Sequence, residues 1–89
     1  MQENEKNMSR ETPSWEEIEK LLQELVQFHQ AQLLKCGRRI VPHVTADDLL
    51  QPNDYPELEN HPYFRYEEGM LAGIQTAQMA LWAMKKSSG

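Results

Sequence analysis

The chain has 89 residues and a formal charge of −5, so it is one small domain without the positive surface that nonspecific binding to nucleic acid or acidic lipid requires. A domain of this size buries only about 60% of the surface that its unfolded chain exposes, so its own core provides marginal stability. One cysteine, Cys36, excludes an intramolecular disulfide and is typical of the reducing cytoplasm.

The N-terminal residues 1–11 mix charged and amide side chains without any periodicity, which predicts a disordered lead before a single helical domain over 12–86. The first ten residues are polar, so we expect no secretory signal, and no apolar stretch is long enough to predict a membrane-spanning helix. We therefore expect a cytoplasmic protein with no nucleic-acid partner and no membrane partner.

A first long helix is predicted over about 14–36. Ser14 and Glu17 have the spacing of a capping box, in which each side chain accepts a hydrogen bond from the backbone of the other residue. Apolar residues then recur every three or four positions, which is the pattern of an amphipathic helix: Trp15, Ile18, Leu21, Leu22, Leu25, Phe28, His29 and Leu33. Gly37 is expected to end the helix in the left-handed conformation that glycine adopts readily.

Prolines and turn-forming residues predict a connection over 37–61. Pro42 lacks a backbone donor, so a strand at this point is an edge strand or no strand. Thr45 and Asp48 repeat the capping pattern and predict one short helix over about 46–51. Apolar residues spread along the connection predict that it is ordered: Ile40, Val41, Val44, Leu49, Leu50, Tyr55 and Leu58. An extended start could run back along the first helix, so the sequence leaves parallel and antiparallel arrangements of the long helices open.

A second long helix is predicted over about 62–86, followed by a frayed end at 87–89. Its main stripe has helical spacing: Tyr63, Glu67, Met70, Ile74, Ala77, Leu81 and Met84. Beside the stripe, Gly69, Gly73 and Ala77 form a row of small residues, although a glycine inside a helix costs about 1 kcal/mol relative to alanine. We interpret this row as a groove for a close partner helix. The alternative is that the glycines only accommodate a contact within the chain.

These elements predict an all-α fold of two long amphipathic helices joined by a long ordered connection with one short helix. The last helix is apolar around much of its circumference, and so short a chain has little else to bury it. We therefore expect a homodimer that forms a four-helix bundle. The predicted packing residues are Gly69, Met70, Gly73, Ile74, Ala77, Leu81 and Met84.

A candidate polar site lies at the start of the last helix, where Glu67 falls on the apolar stripe. The preferred interpretation is a buried ion pair between Glu67 and an arginine, with Arg38, Arg39 and Arg65 as candidates, that fixes the connection in place. The alternative is a small ligand-binding pocket formed by Arg39, His61, Tyr63, Tyr66 and Glu67.

Motifs for catalysis are absent from the sequence. His29, His43 and His61 lack the one-turn spacing of paired metal ligands in helical bundles, so we expect no metal and no cofactor. Lysine and arginine flank Cys36, but a helix C-terminus opposes ionisation of its thiol. The preferred function is a non-catalytic dimeric protein–protein interaction module, such as an adaptor, small chaperone or regulator, with an unknown partner. The alternative is a ligand-binding or enzymatic dimer with a polar site around His61, Tyr63 and Glu67.

Overall fold

A computed structural model describes residues 12–88, without the side chain of Ser88, and this part of the chain contains helices and turns but no strand. The predicted disordered lead, 1–11, lies outside the described residues, as does Gly89. The elements in order are helix α1 (Trp15–Ile40), two short 3₁₀ turns (Asp48–Leu50 and Pro52–Asp54), helix α2 (Pro56–Glu59) and helix α3 (Pro62–Ser88). The all-helical prediction with two long helices is confirmed.

The start of α1 follows the capping pattern in the sequence. The Ser14 hydroxyl accepts a hydrogen bond from the Glu17 amide at 3.1 Å, and the Glu17 carboxylate accepts one from the Ser14 amide at 2.9 Å. Two amides that would otherwise lack a partner at the helix start are therefore satisfied.

The predicted end of α1 at Gly37 is wrong. The helix continues to Ile40, where the Val41 amide donates to the Gly37 carbonyl at 2.7 Å. Gly37 is buried, and a β-carbon added there would lie 3.2 Å from Leu49 Cδ2 and 3.6 Å from Phe64 Cε1. The glycine therefore permits close packing inside the helix, and its conformational freedom is not used to end it.

The connection, 41–61, is more structured than the single short helix that the sequence predicted. Thr45 and Asp48 do form the predicted reciprocal bonds, at 2.9 Å and 3.3 Å, but they begin a three-residue 3₁₀ turn. Pro52 and Pro56 then each occupy the first position of a further short helical element, where a proline has no amide hydrogen bond to lose. The prolines of the connection therefore begin short helical elements as well as separating the two long helices.

Helices α1 and α3 pack side by side in antiparallel directions. The Gln78 amide donates to the Gln23 side-chain oxygen at 3.1 Å, and Lys85 contacts Glu19 at 3.0 Å. Phe64 at the other end of α3 lies against Gly37. Residues late in one helix thus meet residues early in the other, which settles the orientation that the sequence left open.

The core lies at the connection end of this helical pair. Its buried cluster combines both helices with the connection: Leu33, Cys36, Val41, Val44, Leu58 and Phe64. Towards the other end, the buried side chains among the described residues are Val26 and Gln78. The far half of the hairpin is therefore held by half-buried apolar contacts and the polar pairs at Gln23 and Glu19.

The predicted stripe on α3 is rotated from the one that packs on α1. Phe64 and Gln78 are buried and Leu71 is half-buried, whereas Tyr63 and Met70 are exposed. Of the predicted stripe, Glu67, Ile74 and Leu81 are half-buried, and Ala77 and Met84 are exposed. Two overlapping apolar arcs run along α3, and only the contact with α1 decides which of them becomes the core.

Candidate interaction surfaces

The residues of the predicted polar site do not form a buried ion pair. Glu67 is half-buried, but the ion pair at this end of α3 joins Arg65 to Glu68 at 3.1 Å. Arg38 donates from Nε to the Val44 carbonyl at 3.0 Å. An arginine does fix the connection, as expected, but it binds a backbone carbonyl and not the Glu67 carboxylate.

The remaining residues of the predicted polar site are mostly exposed to solvent. Arg39, Tyr63 and Tyr66 are exposed, and His61 is half-buried just before α3. The His61 Nδ1 atom is buried and has no hydrogen-bond partner within the described part of the chain. These side chains are therefore largely open to solvent, and the ligand-binding pocket of the alternative interpretation stays a prediction.

Cys36 is a core side chain. Burial raises the pKa of its thiol, the negative charge of Glu67 raises it further, and Arg39 opposes both effects. The thiol is therefore protonated at neutral pH, and the thiolate that nucleophilic chemistry requires is disfavoured.

A polar cluster within the connection has a structural role. The pKa of Asp48 is lowered mainly by the hydrogen bond from the Thr45 amide, with further contributions from the Thr45 and Tyr55 hydroxyls and from His43. Burial and the charge of Asp48 raise the pKa of Tyr55. The His43 ring lies edge-on to the Tyr55 ring at 6.5 Å. The cluster ties the first 3₁₀ turn to the residue that precedes α2.

Residues 12–88 contain no group of three or more His, Cys, Asp or Glu side chains that could hold a metal ion. Within the same residues, neither long helix has an apolar segment of the length needed to cross a membrane.

The first candidate surface is an apolar face that covers one side of the helical pair. On α1 and α3 alike, its residues are displaced from the α1–α3 contact in the same rotational sense along the helix. In an antiparallel pair, an equal rotational sense places both rows on the same side of the pair. We define the apolar face by its members: Leu21, Leu25 and Phe28 of α1, and Tyr63, Tyr66, Met70, Gly73, Ala77 and Met84 of α3, all exposed.

The glycines of α3 are not explained by contacts within the described chain. A β-carbon added at Gly69 or Gly73 would meet nothing within 4 Å. The alternative that these glycines accommodate an intrachain contact is therefore wrong for residues 12–88. The small-residue row is open, and Gly73 and Ala77 form the shallow middle of the apolar face.

The second candidate surface is a cleft of about 480 Å³ on the opposite side of the pair, which we name the connection cleft. It lies between both long helices and the first 3₁₀ turn, and its lining is mostly aliphatic with carboxylates and amides among it: Gln30, Leu33, Leu34, Ala46, Asp47, Leu49, Leu50, Glu68, Leu71, Ala72 and Gln75. Its lining comes from three segments that only the fold brings together, so no local pattern in the sequence predicts this cleft.

The net charge of the chain is concentrated in the connection, which contributes Asp47 to the lining of this cleft. The connection, 41–61, has five carboxylates and no lysine or arginine. Its formal charge of −5 therefore equals the formal charge of the whole chain. The four acidic and four basic residues of α1 cancel. A count of charge by segment shows this asymmetry from the sequence alone, whereas the total charge does not.

No protein-family model matches the sequence, and comparisons with curated proteins and with solved structures find no significant match.

Proposed function

We propose that the chain is a non-catalytic homodimeric interaction module of the cytoplasm, in which the apolar faces of two copies pack together as a four-helix bundle. The observation that carries the proposal is the excess of exposed apolar side chains. Among the described residues, seven apolar side chains are buried and ten large apolar side chains are exposed, and all of the exposed ones except Leu50, Met79 and Trp82 belong to the apolar face. Removing such a surface from water is the main driving force of protein association.

The dimensions of the apolar face suit a second copy. From Tyr63 to Met84 the face is about 33 Å long at 1.5 Å per residue. Two packed helices with axes 8–10 Å apart are together about 20 Å wide. The resulting area of about 650 Å² approaches the roughly 800 Å² that each partner contributes to a stable interface. The residues between Gly69 and Met84 include no charged side chain, so the face has no charge to desolvate along this part of α3.

Charge along the outer edge of α1 favours an antiparallel second copy. The exposed Glu17 and Glu24 lie in the first half of this helix, and the exposed Lys35 and Arg39 lie in the second half. Glu17 and Arg39 are equally far from Phe28, so a two-fold axis beside Phe28 would bring them together across the interface. The same axis would pass α3 midway between Gly73 and Ala77, where the small residues allow the two copies of α3 to approach closely.

The dimer is tested by substituting one methionine on each side of the hairpin. Met70 lies on the apolar face, whereas Met79 is more exposed and lies on the opposite side of α3. Sedimentation equilibrium should give wild type and Met79→Lys twice the 10.4 kDa chain mass at micromolar concentration, and Met70→Lys the mass of one chain. A wild-type mass of one chain at about 100 µM would refute the dimer, and equal dissociation of the two variants would refute the assignment of the face.

The antiparallel arrangement is tested by exchanging charges on α1. Glu24→Lys should weaken the dimer by repulsion from Lys35 of the other copy, and adding Lys35→Glu to the same chain should restore it. If the double variant lost as much dimerisation free energy as the two single variants together, the antiparallel arrangement would be wrong, although the dimer itself would stand.

A further inference from the structure

The connection cleft contains apolar surface that the chain itself leaves open. Leu34, Leu49 and Leu71 are half-buried at its base, and Leu50 at its edge is 79% exposed. Leu50 is the most exposed of the large apolar side chains among the described residues. An engineered apolar cavity of about 150 Å³ holds a benzene ring, so a cleft of about 480 Å³ has room for about three branched or aromatic side chains.

The charge at the cleft restricts what can occupy it. Asp47 and Glu68 place carboxylates among the leucines. Glu68 already pairs with Arg65 at 3.1 Å, so Asp47, which belongs to the segment that carries the net charge of the chain, is the main acidic group for an occupant. An acidic occupant would bring like charges together, whereas lysine or arginine side chains beside apolar ones would pair with the carboxylates while the apolar groups enter the cleft. The amides of Gln30 and Gln75 add donors and acceptors at the same edge.

We infer that the connection cleft binds a short basic amphipathic segment of a partner protein, whose apolar side chains lie between Leu34, Leu49 and Leu71 and whose cations face Asp47 and Glu68. This extends the proposed interaction function by naming the class of partner. The cleft is formed within one chain and lies on the side of the hairpin opposite the apolar face. Both surfaces can therefore be occupied at once, with one partner segment bound by each copy of the dimer.

The inference is tested with a fluorescein-labelled peptide that has leucines at helical i, i+3, i+4 and i+7 spacing and lysines elsewhere. Fluorescence anisotropy with the full chain measures its affinity. One control peptide replaces each lysine with glutamate, and another keeps the composition but scrambles the leucines. We expect the lysine peptide to bind at least about tenfold more tightly than either control, and its affinity to fall as salt is added because the charges are screened.

Matched variants locate the binding site. Ala72→Phe fills the cleft and should weaken binding about tenfold or more, whereas Ala83→Phe, at an exposed alanine of the same helix outside the cleft lining, should leave it unchanged. Asp47→Asn should weaken binding and reduce its salt dependence. The Met70→Lys variant should bind the peptide as wild type does, since the cleft does not use the dimer contact.

The outcomes are separable from those of the dimer test. Equal binding of the lysine and glutamate peptides, no binding by any peptide, or equal effects of Ala72→Phe and Ala83→Phe would each overturn the inference. Loss of binding in Met70→Lys would also overturn it, because the cleft would then require the second copy. A wild-type protein that proves monomeric would refute the homodimer and leave this inference standing.

Discussion

Phe64 and its neighbour Tyr63 distinguish between the two apolar arcs of α3. Phe64 is fully buried and packs against Gly37 in the core cluster, whereas Tyr63 is 50% exposed on the apolar face. Truncation of a buried phenylalanine to alanine costs about 3–5 kcal/mol, through lost transfer free energy and the cavity left behind. A chain of 89 residues has a total stability of about 4–13 kcal/mol, so Phe64→Ala removes at least about a quarter of it and, at the low end of this range, all of it.

A graded pair of variants therefore gives the more informative measurement. We expect Phe64→Leu to lower the free energy of unfolding by about 1–2 kcal/mol and Tyr63→Ala to lower it by less than about 0.5 kcal/mol. Both are compared in the Met70→Lys background, so that loss of dimer contacts does not contribute to the effect of Tyr63→Ala. Urea unfolding, followed by circular dichroism and by the fluorescence of Trp15 and Trp82, supplies both values.

One result would refute this reasoning. If Tyr63→Ala cost as much as Phe64→Leu in the Met70→Lys background, the stripe predicted from sequence periodicity would be the core stripe. The rotation of α3 that buries Phe64 against α1 would then be wrong, and the residues of the apolar face would have to be reassigned.

Two further predictions concern Gly37 and Cys36. Gly37→Leu should lower the free energy of unfolding by about 1–3 kcal/mol through overpacking. Gly73→Leu in the Met70→Lys background should instead raise the free energy of unfolding by up to about 1 kcal/mol, because the space beside Gly73 is open. Urea unfolding of both variants measures these changes. Burial raises the pKa of the Cys36 thiol, so above about pH 9 the unfolded thiol ionises before the folded one. Stability relative to Cys36→Ala should therefore be constant below about pH 9 and fall as the pH rises further; a constant difference at every pH would contradict the raised pKa.

Local signals predicted the helices and their caps well, because capping depends on residues only three positions apart. Ser14 with Glu17, and Thr45 with Asp48, form the expected reciprocal bonds. Gly37 shows the limit of such signals, since glycine suits both a left-handed helix end and a close contact. Only the approach of Leu49 and Phe64, from distant parts of the chain, decides between the two uses.

For the candidate surfaces too, the sequence determined one part and the tertiary structure the other. The sequence by itself determined that α3 carries more apolar surface than one contact can cover, since this is a property of its periodicity. The tertiary structure decided which arc, headed by Phe64 or by Tyr63, is buried, because both arcs have helical spacing and only packing against α1 selects one. It also decided that Glu67 lacks the expected arginine and that α1, the connection and α3 together form a cleft, since both depend on contacts between residues far apart in the chain.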